Sequence, residues 1–156
     1  MFDISFAPDS LPELTGKKLV NLGRTGEMDL RYGYFEMDLS ITTDEFGREL
    51  IPGTPVLDFV FCLLLAARDV QQGDSGCISF TENDLLIHFT CEGDTVTVTR
   101  SWDSVSGYCK IDEFLTVASR FSRESLEVIV QNYPVFQENQ TYRKLVDMVT
   151  ELMPGR

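Results

Sequence analysis

The feature that most restricts the fold of this chain is an apolar run from Phe59 to Ala67, nine residues without a charge. A membrane-spanning helix needs ~20 such residues, so the run is better suited to a helix buried inside a protein. The dipeptide Thr54-Pro55 just upstream predicts a helix start, with the threonine hydroxyl as N-cap and the proline in the first helical position. We therefore predict a helix from Pro55 to about Val70 that is apolar almost all round and lies at the centre of the fold.

Short runs of alternating polarity predict the strands. Phe2 to Phe6 has the period of a half-buried strand. Met28 to Ile41 also alternates, but its parity changes near Gly33, which we interpret as one bent strand with a β-bulge. Beyond the central helix, four further runs with polar turns between them predict an antiparallel meander. These runs are Cys77–Thr81, Leu85–Thr90, Thr95–Trp102 and Gly107–Ile111.

The run Thr95–Trp102 has the cleanest alternation. Val96, Val98 and Trp102 share one face with Arg100, while threonines and a serine make up the other face. The pattern predicts a strand with one face towards the core and one towards water.

Two amphipathic helices are predicted after the meander. The first is capped by Asp112 and stops at Asn132-Tyr133-Pro134, and the second runs from Glu138 to Met153. Residues 9–26 are assigned no regular element, because prolines and glycines interrupt them. Together these elements predict an α+β fold, with residues 1–156 forming a single globular domain. In this fold an antiparallel sheet of about five to six strands packs against a buried central helix and two C-terminal helices.

The chain is strongly acidic, with 25 Asp and Glu against 13 Lys and Arg and a net charge of −12. Both halves of the chain are acidic, so the negative potential belongs to the folded surface. That sign repels phosphate backbones and anionic lipid, which argues against nucleic acid or a membrane as a direct ligand and favours a basic partner. The chain opens without a basic segment followed by an apolar one, so we expect a cytoplasmic protein. Its oligomeric state stays open.

No sequence pattern for catalysis, for a metal site or for a cofactor is recognisable. The single histidine, His88, lies within a predicted strand, and Cys91 is expected on the opposite face of that strand. The four cysteines form no Cys-x-x-Cys pair, so we expect reduced, mostly buried thiols. Paired acids such as Glu92 and Asp94 lie in predicted turns, where solvated carboxylates are usual. We predict a protein that is not an enzyme and has no catalytic residue, metal or cofactor.

The candidate site is a set of acidic turns close to aromatic side chains. Acids that steer a partner and aromatic side chains that anchor it are the combination typical of protein interfaces. The alternative is that Trp102 is a core residue and that the acids only keep the protein soluble. The predicted partner-binding residues are Glu82, Asp84, Glu92, Asp94, Trp102, Asp103 and Tyr108.

The size, acidity and organisation of the whole chain resemble those of the immunity proteins of bacterial toxin–immunity systems. Two further features carry this resemblance, Phe114-Leu115-x-x-Ala118-x-x-Phe121 and the segment Asn132-Tyr133-Pro134. The resemblance implies a cytoplasmic protein that binds one cognate toxin domain, often a basic nuclease, and blocks its active site without turnover. It implies no role for any individual residue.

Two other hypotheses stay open. One is a small enzyme or ligand-binding domain with a pocket between the sheet and the helix at residues 55–70. The other is an acidic decoy that mimics DNA and binds several nucleases.

Overall fold

The computed structural model describes residues 1–80 and 83–152. Its strands and helices alternate irregularly along the chain, as in an α+β protein. The strands are β1 (Phe2–Phe6), β2 (Glu36–Thr43), β3 (Gly47–Pro55), β4 (Gly76–Ser79), β5 (Leu86–Glu92), β6 (Thr95–Arg100) and β7 (Gly107–Lys110). The helices are α1 (Gly16–Asn21), α2 (Glu27–Gly33), α3 (Val56–Gln71), α4 (Ile111–Asn132) and α5 (Gln140–Leu152), with short 3-10 turns at Pro8–Ser10 and Pro134–Glu138.

The strands form two antiparallel sheets, which corrects the prediction of one sheet with five to six strands. The first sheet has the order β1-β2-β3, and the second is the predicted meander β4-β5-β6-β7. The sequence analysis did not include β3, which contains the turn signal Pro52-Gly53. In the structure this dipeptide forms a bulge, where Gly53 has φ +60° and donates its N–H to Asp38 Oδ1 at 2.9 Å.

The predicted bent strand from Met28 to Ile41 is wrong in its first half. Residues Glu27–Gly33 form helix α2, and β2 begins at Glu36. The change of parity near Gly33 is a change from helix to strand. In β2 the expected odd-numbered positions, Met37 among them, are buried. Residues 9–26, to which no element was assigned, contain α1.

Helix α3 is the core helix and confirms the central prediction. It packs against both sheets and against α2, α4 and α5, and most of its residues are buried. Gly76 of β4 approaches α3 so closely that a Cβ there would lie 2.7 Å from Ala66 Cα. The predicted caps are wrong. Pro55 occupies the N-cap position of α3 while the Thr54 hydroxyl donates to Ile51 O at 3.1 Å, and Lys110, not Asp112, precedes α4.

Strand β1 is held by α4, more than a hundred residues away in sequence. The Phe2 N–H donates to Glu113 Oε2 at 3.1 Å, and the Phe2 ring lies 5.6 Å from the ring of Phe114. Arg120 pairs with Asp3 and donates to Ile4 O. These contacts attach β1 to α4. The other edge strand of the first sheet, β3, lines the site described next.

Candidate functional site

The structure divides the predicted interface residues between the two ends of the second sheet. Asp84 lies in the β4–β5 connection, and Trp102 and Asp103 lie in the β6–β7 connection at the same end. Glu92 and Asp94 lie at the β5–β6 turn, at the opposite end. Because β5 has 7 residues, the two groups are about 20 Å apart along the strand.

The remaining predicted residues lie apart from these groups. Tyr108 is on the outer face of β7 with 48% of its surface exposed, and its backbone N–H donates to Glu45 Oε1 at 2.9 Å. Glu82 lies outside the described residues. At the turn, Asp94 pairs with Lys110 at 3.3 Å, and this cation lowers the pKa of the Asp94 carboxyl. The lysine therefore offsets part of the acidity at that end.

A cleft of about 300 Å³ opens at the end that carries Trp102. Its walls are β3, the first turn of α3, the end of β4 and the connection that follows β4. This is the region in which the alternative hypothesis expected a pocket. The cleft contains two carboxylates, Glu49 and Asp58, and no lysine, arginine or histidine among the described residues that line it. Its apolar wall includes Leu50, Ile51, Phe59, Ile78, Phe80 and Leu85.

Glu49 enters the cleft because of its register in β3. Its cross-strand neighbour is the buried Ile41, so both side chains point between the two sheets. Glu49 Oε1 accepts hydrogen bonds from Arg100 Nη1 at 3.1 Å and from Trp102 Nε1 at 2.5 Å. The indole of Trp102 is half-buried. Trp102 is therefore neither a fully buried core residue nor a fully exposed anchor, the two roles that the sequence analysis considered.

Arg100 joins the two sheets behind this wall. It is only 4% exposed, and its guanidinium lies 3.9 Å over the Phe46 ring. Nη2 donates to Val105 O and pairs with Asp103 Oδ1, each at 3.2 Å, while Nε is buried without a hydrogen-bond partner among the described residues. The single guanidinium of Arg100 therefore pairs with two carboxylates, those of Glu49 and Asp103, and the three groups together have a net charge of about −1.

The second carboxylate of the cleft is held by another arginine. Asp58 is buried at the start of α3, and Arg31 of α2 binds its Oδ1 through Nε at 2.8 Å and Nη2 at 2.6 Å. Arg31 also contacts Glu27, whose pKa is lowered by a hydrogen bond from Lys144. This chain of charges ties α2 to α3 and α5, and it fixes the carboxylate of Asp58 at the floor of the cleft.

The histidine and the cysteines lie outside the cleft. His88 is exposed on the outer face of β5, with Cys77 as its cross-strand neighbour. All four cysteines are free thiols, but only Cys109 is buried, which corrects the expectation of mostly buried thiols. Burial raises the pKa of Cys109 to about 12. Within residues 1–80 and 83–152, no three His, Cys, Asp or Glu side chains come together as metal ligands would.

The sequence analysis missed Glu49 and Asp58. It did contain a signal that Arg100 needs an acidic partner, which in the structure is Glu49. Arg100 was assigned to the same strand face as Val96 and Val98, and an arginine on an apolar face needs an acidic partner. Which of the many acids would supply it depends on the pairing of the two sheets.

Comparison of the chain with protein-family models, with curated proteins and with solved structures finds no match. In the part of the chain that the structure describes, no helix has both the length and the apolar character needed to cross a membrane. The candidate site accordingly rests on the geometry of the cleft and on the charges around it.

Proposed function

We propose that this protein is a non-enzymatic, acidic binding protein that neutralises a basic cognate toxin domain. It would bind the toxin in a one-to-one complex in the cytoplasm and block the toxin's active site, as the resemblance to immunity proteins implies. The observation that carries the proposal is the cleft, where exposed apolar side chains and carboxylates meet without a basic residue among the described lining.

The apolar part of the cleft supports an anchoring role. Leu50 is 65% exposed at its rim, and Leu85 and the half-buried Trp102 line the same opening. Side chains of a partner that enter such a recess lose contact with water, and residues in desolvated recesses contribute most of the binding energy of a typical interface. The cleft therefore supplies the affinity.

The charge of the protein supports a steering role. A net charge of −12 attracts a cationic partner over a distance of about 8–10 Å at ordinary salt and raises the association rate. Asp84 and Asp103 flank the cleft, whereas Glu92 and Asp94 act from the other end of the sheet. We assign both groups to the binding surface, with the first group in direct contact.

The experiment begins with a pull-down from the native host, washed at low and then moderate salt and analysed by mass spectrometry. A single basic, stoichiometric partner is the expected result. Retention of many unrelated nucleases would favour the DNA-mimic decoy. Absence of any retained protein would contradict the proposal.

Charge reversal on the purified complex then tests the interface. Asp84→Lys and Glu92→Lys each reverse one negative charge, at exposed positions on opposite ends of the sheet. Glu127→Lys, at an exposed position of α4, is the matched control. We expect Asp84→Lys to slow association about three- to tenfold at low salt, with a smaller effect of Glu92→Lys and little of Glu127→Lys. A larger effect of Glu92→Lys would move the interface to the β5–β6 turn, and equal rates for all variants would contradict the proposal.

A second candidate function is a small enzyme or ligand-binding domain that uses the same cleft. Its volume of about 300 Å³ favours this candidate, because small-molecule sites begin at roughly that size. Screening a library of small molecules by the fluorescence of Trp102 would test it. A neutral compound that binds the isolated protein tightly would favour this function over protein capture.

A further inference from the structure

We infer that the acidic end of the cleft receives the guanidinium group of an arginine side chain presented by the basic partner. The alkyl stem of that arginine lies along the apolar wall, and its head group lies at Glu49 beside Trp102. This inference rests on the proposed function, and it names the group of the partner that the site recognises.

The cleft has the right size for one long side chain. Its volume of about 300 Å³ corresponds to about ten water molecules. Side chains of this kind bury their aliphatic stems on apolar surface and keep the charged head in a polar environment. The cleft offers both parts, with Phe80 and Leu85 on the apolar side and Glu49 at the other.

Glu49 has the capacity to accept the guanidinium. Among the described residues, both hydrogen bonds that it receives end on Oε1 and none ends on Oε2, and 28% of the side chain is exposed. Its arginine partner, Arg100, is shared with Asp103. An incoming cation at Oε2 therefore neutralises the negative charge that this group holds in excess, and a carboxylate pairs well with the planar donors of a guanidinium.

Two arginines within the protein are each held by a carboxylate and an aromatic ring. Arg100 lies 3.9 Å over the Phe46 ring while it binds Glu49, and Arg31 lies 4.7 Å over the Phe61 ring while it binds Asp58. In both cases a guanidinium contacts a carboxylate and an aromatic ring together. At the open end of the cleft a carboxylate again lies beside an aromatic side chain, because Glu49 accepts a hydrogen bond from the indole N–H of Trp102. Arginine suits it better than lysine, since guanidinium is planar, weakly hydrated and stacks on aromatic rings.

The test uses N-acetyl-L-arginine amide as the probe and the isolated full-length protein as the receptor. Trp102 is the single tryptophan of the chain, so its indole N–H gives one nuclear magnetic resonance signal that reports directly on the cleft. N-acetyl-L-citrulline amide is the matched control, because it has nearly the same shape without the charge. We expect the arginine probe to shift the indole signal saturably, an effect that added salt weakens, and the citrulline probe to leave it unchanged.

Variants locate the site. Glu49→Gln keeps the acceptor for Arg100 and Trp102 but removes the charge, and we expect about five- to tenfold weaker probe binding. Leu50→Lys places a cation at the exposed rim without disturbing the core, so it tests the site even if the first variant is destabilised. Glu127→Gln, on the exposed face of α4, is the control that keeps wild-type binding.

The outcomes separate this inference from the proposed function. Equal shifts by the arginine and citrulline probes, no shift by either, or normal probe binding to Leu50→Lys would overturn the arginine site. If the probe fails but a basic partner still binds, the proposed function stands and the arginine site is refuted. If the probe binds as expected but no basic protein partner exists, the site is real and the function is wrong.

Discussion

Replacing Arg100 by methionine would test whether this residue joins the two sheets. The substitution keeps a long side chain in the buried space but removes the guanidinium contacts to Glu49, Asp103, the Val105 carbonyl and the Phe46 ring. Glu49 would keep its hydrogen bond from Trp102. The carboxylate of Glu49 would then lack the cation that compensates it.

The expected cost follows from the burial of the two partners. Removing one partner of a buried ion pair costs about 3–5 kcal/mol. Glu49 remains 28% exposed, and the buried Nε–H of Arg100 has no hydrogen-bond partner among residues 1–80 and 83–152, so we place the loss near the lower end, about 3 kcal/mol. For a domain of this length that lowers the melting temperature by about 6–12 °C. Glu49→Gln, which keeps its acceptor oxygen, should cost about 1–2 kcal/mol.

A double-mutant cycle then isolates the interaction. Urea unfolding, followed by circular dichroism and by the fluorescence of the single tryptophan, gives the free energy of unfolding of each variant. The double variant Arg100→Met with Glu49→Gln should be more stable than the sum of the two losses predicts, by about 1–2 kcal/mol. Strict additivity, or a loss below about 1 kcal/mol for Arg100→Met, would refute the reasoning.

Three further predictions concern burial and close packing. Phe61→Ala should lower the free energy of unfolding by about 3–5 kcal/mol in urea, because Phe61 is only 2% exposed; a loss below about 1 kcal/mol would contradict its burial. Gly76→Ala should cost about 2–3 kcal/mol or more, since the new Cβ would lie 2.7 Å from Ala66 Cα and α3 must move away from β4; wild-type stability would show that the approach is looser. At pH 8, iodoacetamide should modify the exposed Cys77 in the native protein, whereas Cys109, whose pKa burial raises to about 12, should react only after unfolding.

The elements that were predicted correctly are those with one uninterrupted pattern. Helix α3 has a continuous apolar run, and strands β5 and β6 alternate over six or seven residues. By contrast, β3 was not predicted. It contains Pro52-Gly53, a local turn signal that also fits a bulge held in place by an adjacent strand. In α2, the positions of Met28 and Leu30 fit a strand as well as a short helix, and only the packing of Leu30 in the core decides between them.

One of the predicted interface residues, Trp102, lines the cleft, and Asp84 and Asp103 are sequence neighbours of lining residues. Asp84 follows from local pattern, since a polar turn places it on the surface. Trp102 was predicted as the last residue of a strand, whereas β6 ends at Arg100 and Trp102 lies in the β6–β7 connection. Glu49 does not follow in this way, because it meets Trp102 across 53 positions of sequence. This contact depends on how the two sheets pack against each other, and such long-range packing produces no periodic pattern in the sequence.

The attachment of β1 to α4 has a consequence for the order of folding. The β2–β3 pair in the first sheet and the β4–β7 meander in the second join strands that are close in sequence, so hairpins in both sheets can form early and locally. Phe2 and Asp3, however, find their partners Glu113 and Arg120 more than a hundred residues later. During synthesis at ~5–20 residues per second, the outer edge of β1 therefore stays uncovered for several seconds until α4 has left the ribosome. Strand β1 is thus made before the helix that holds it and is among the last strands to be locked in place.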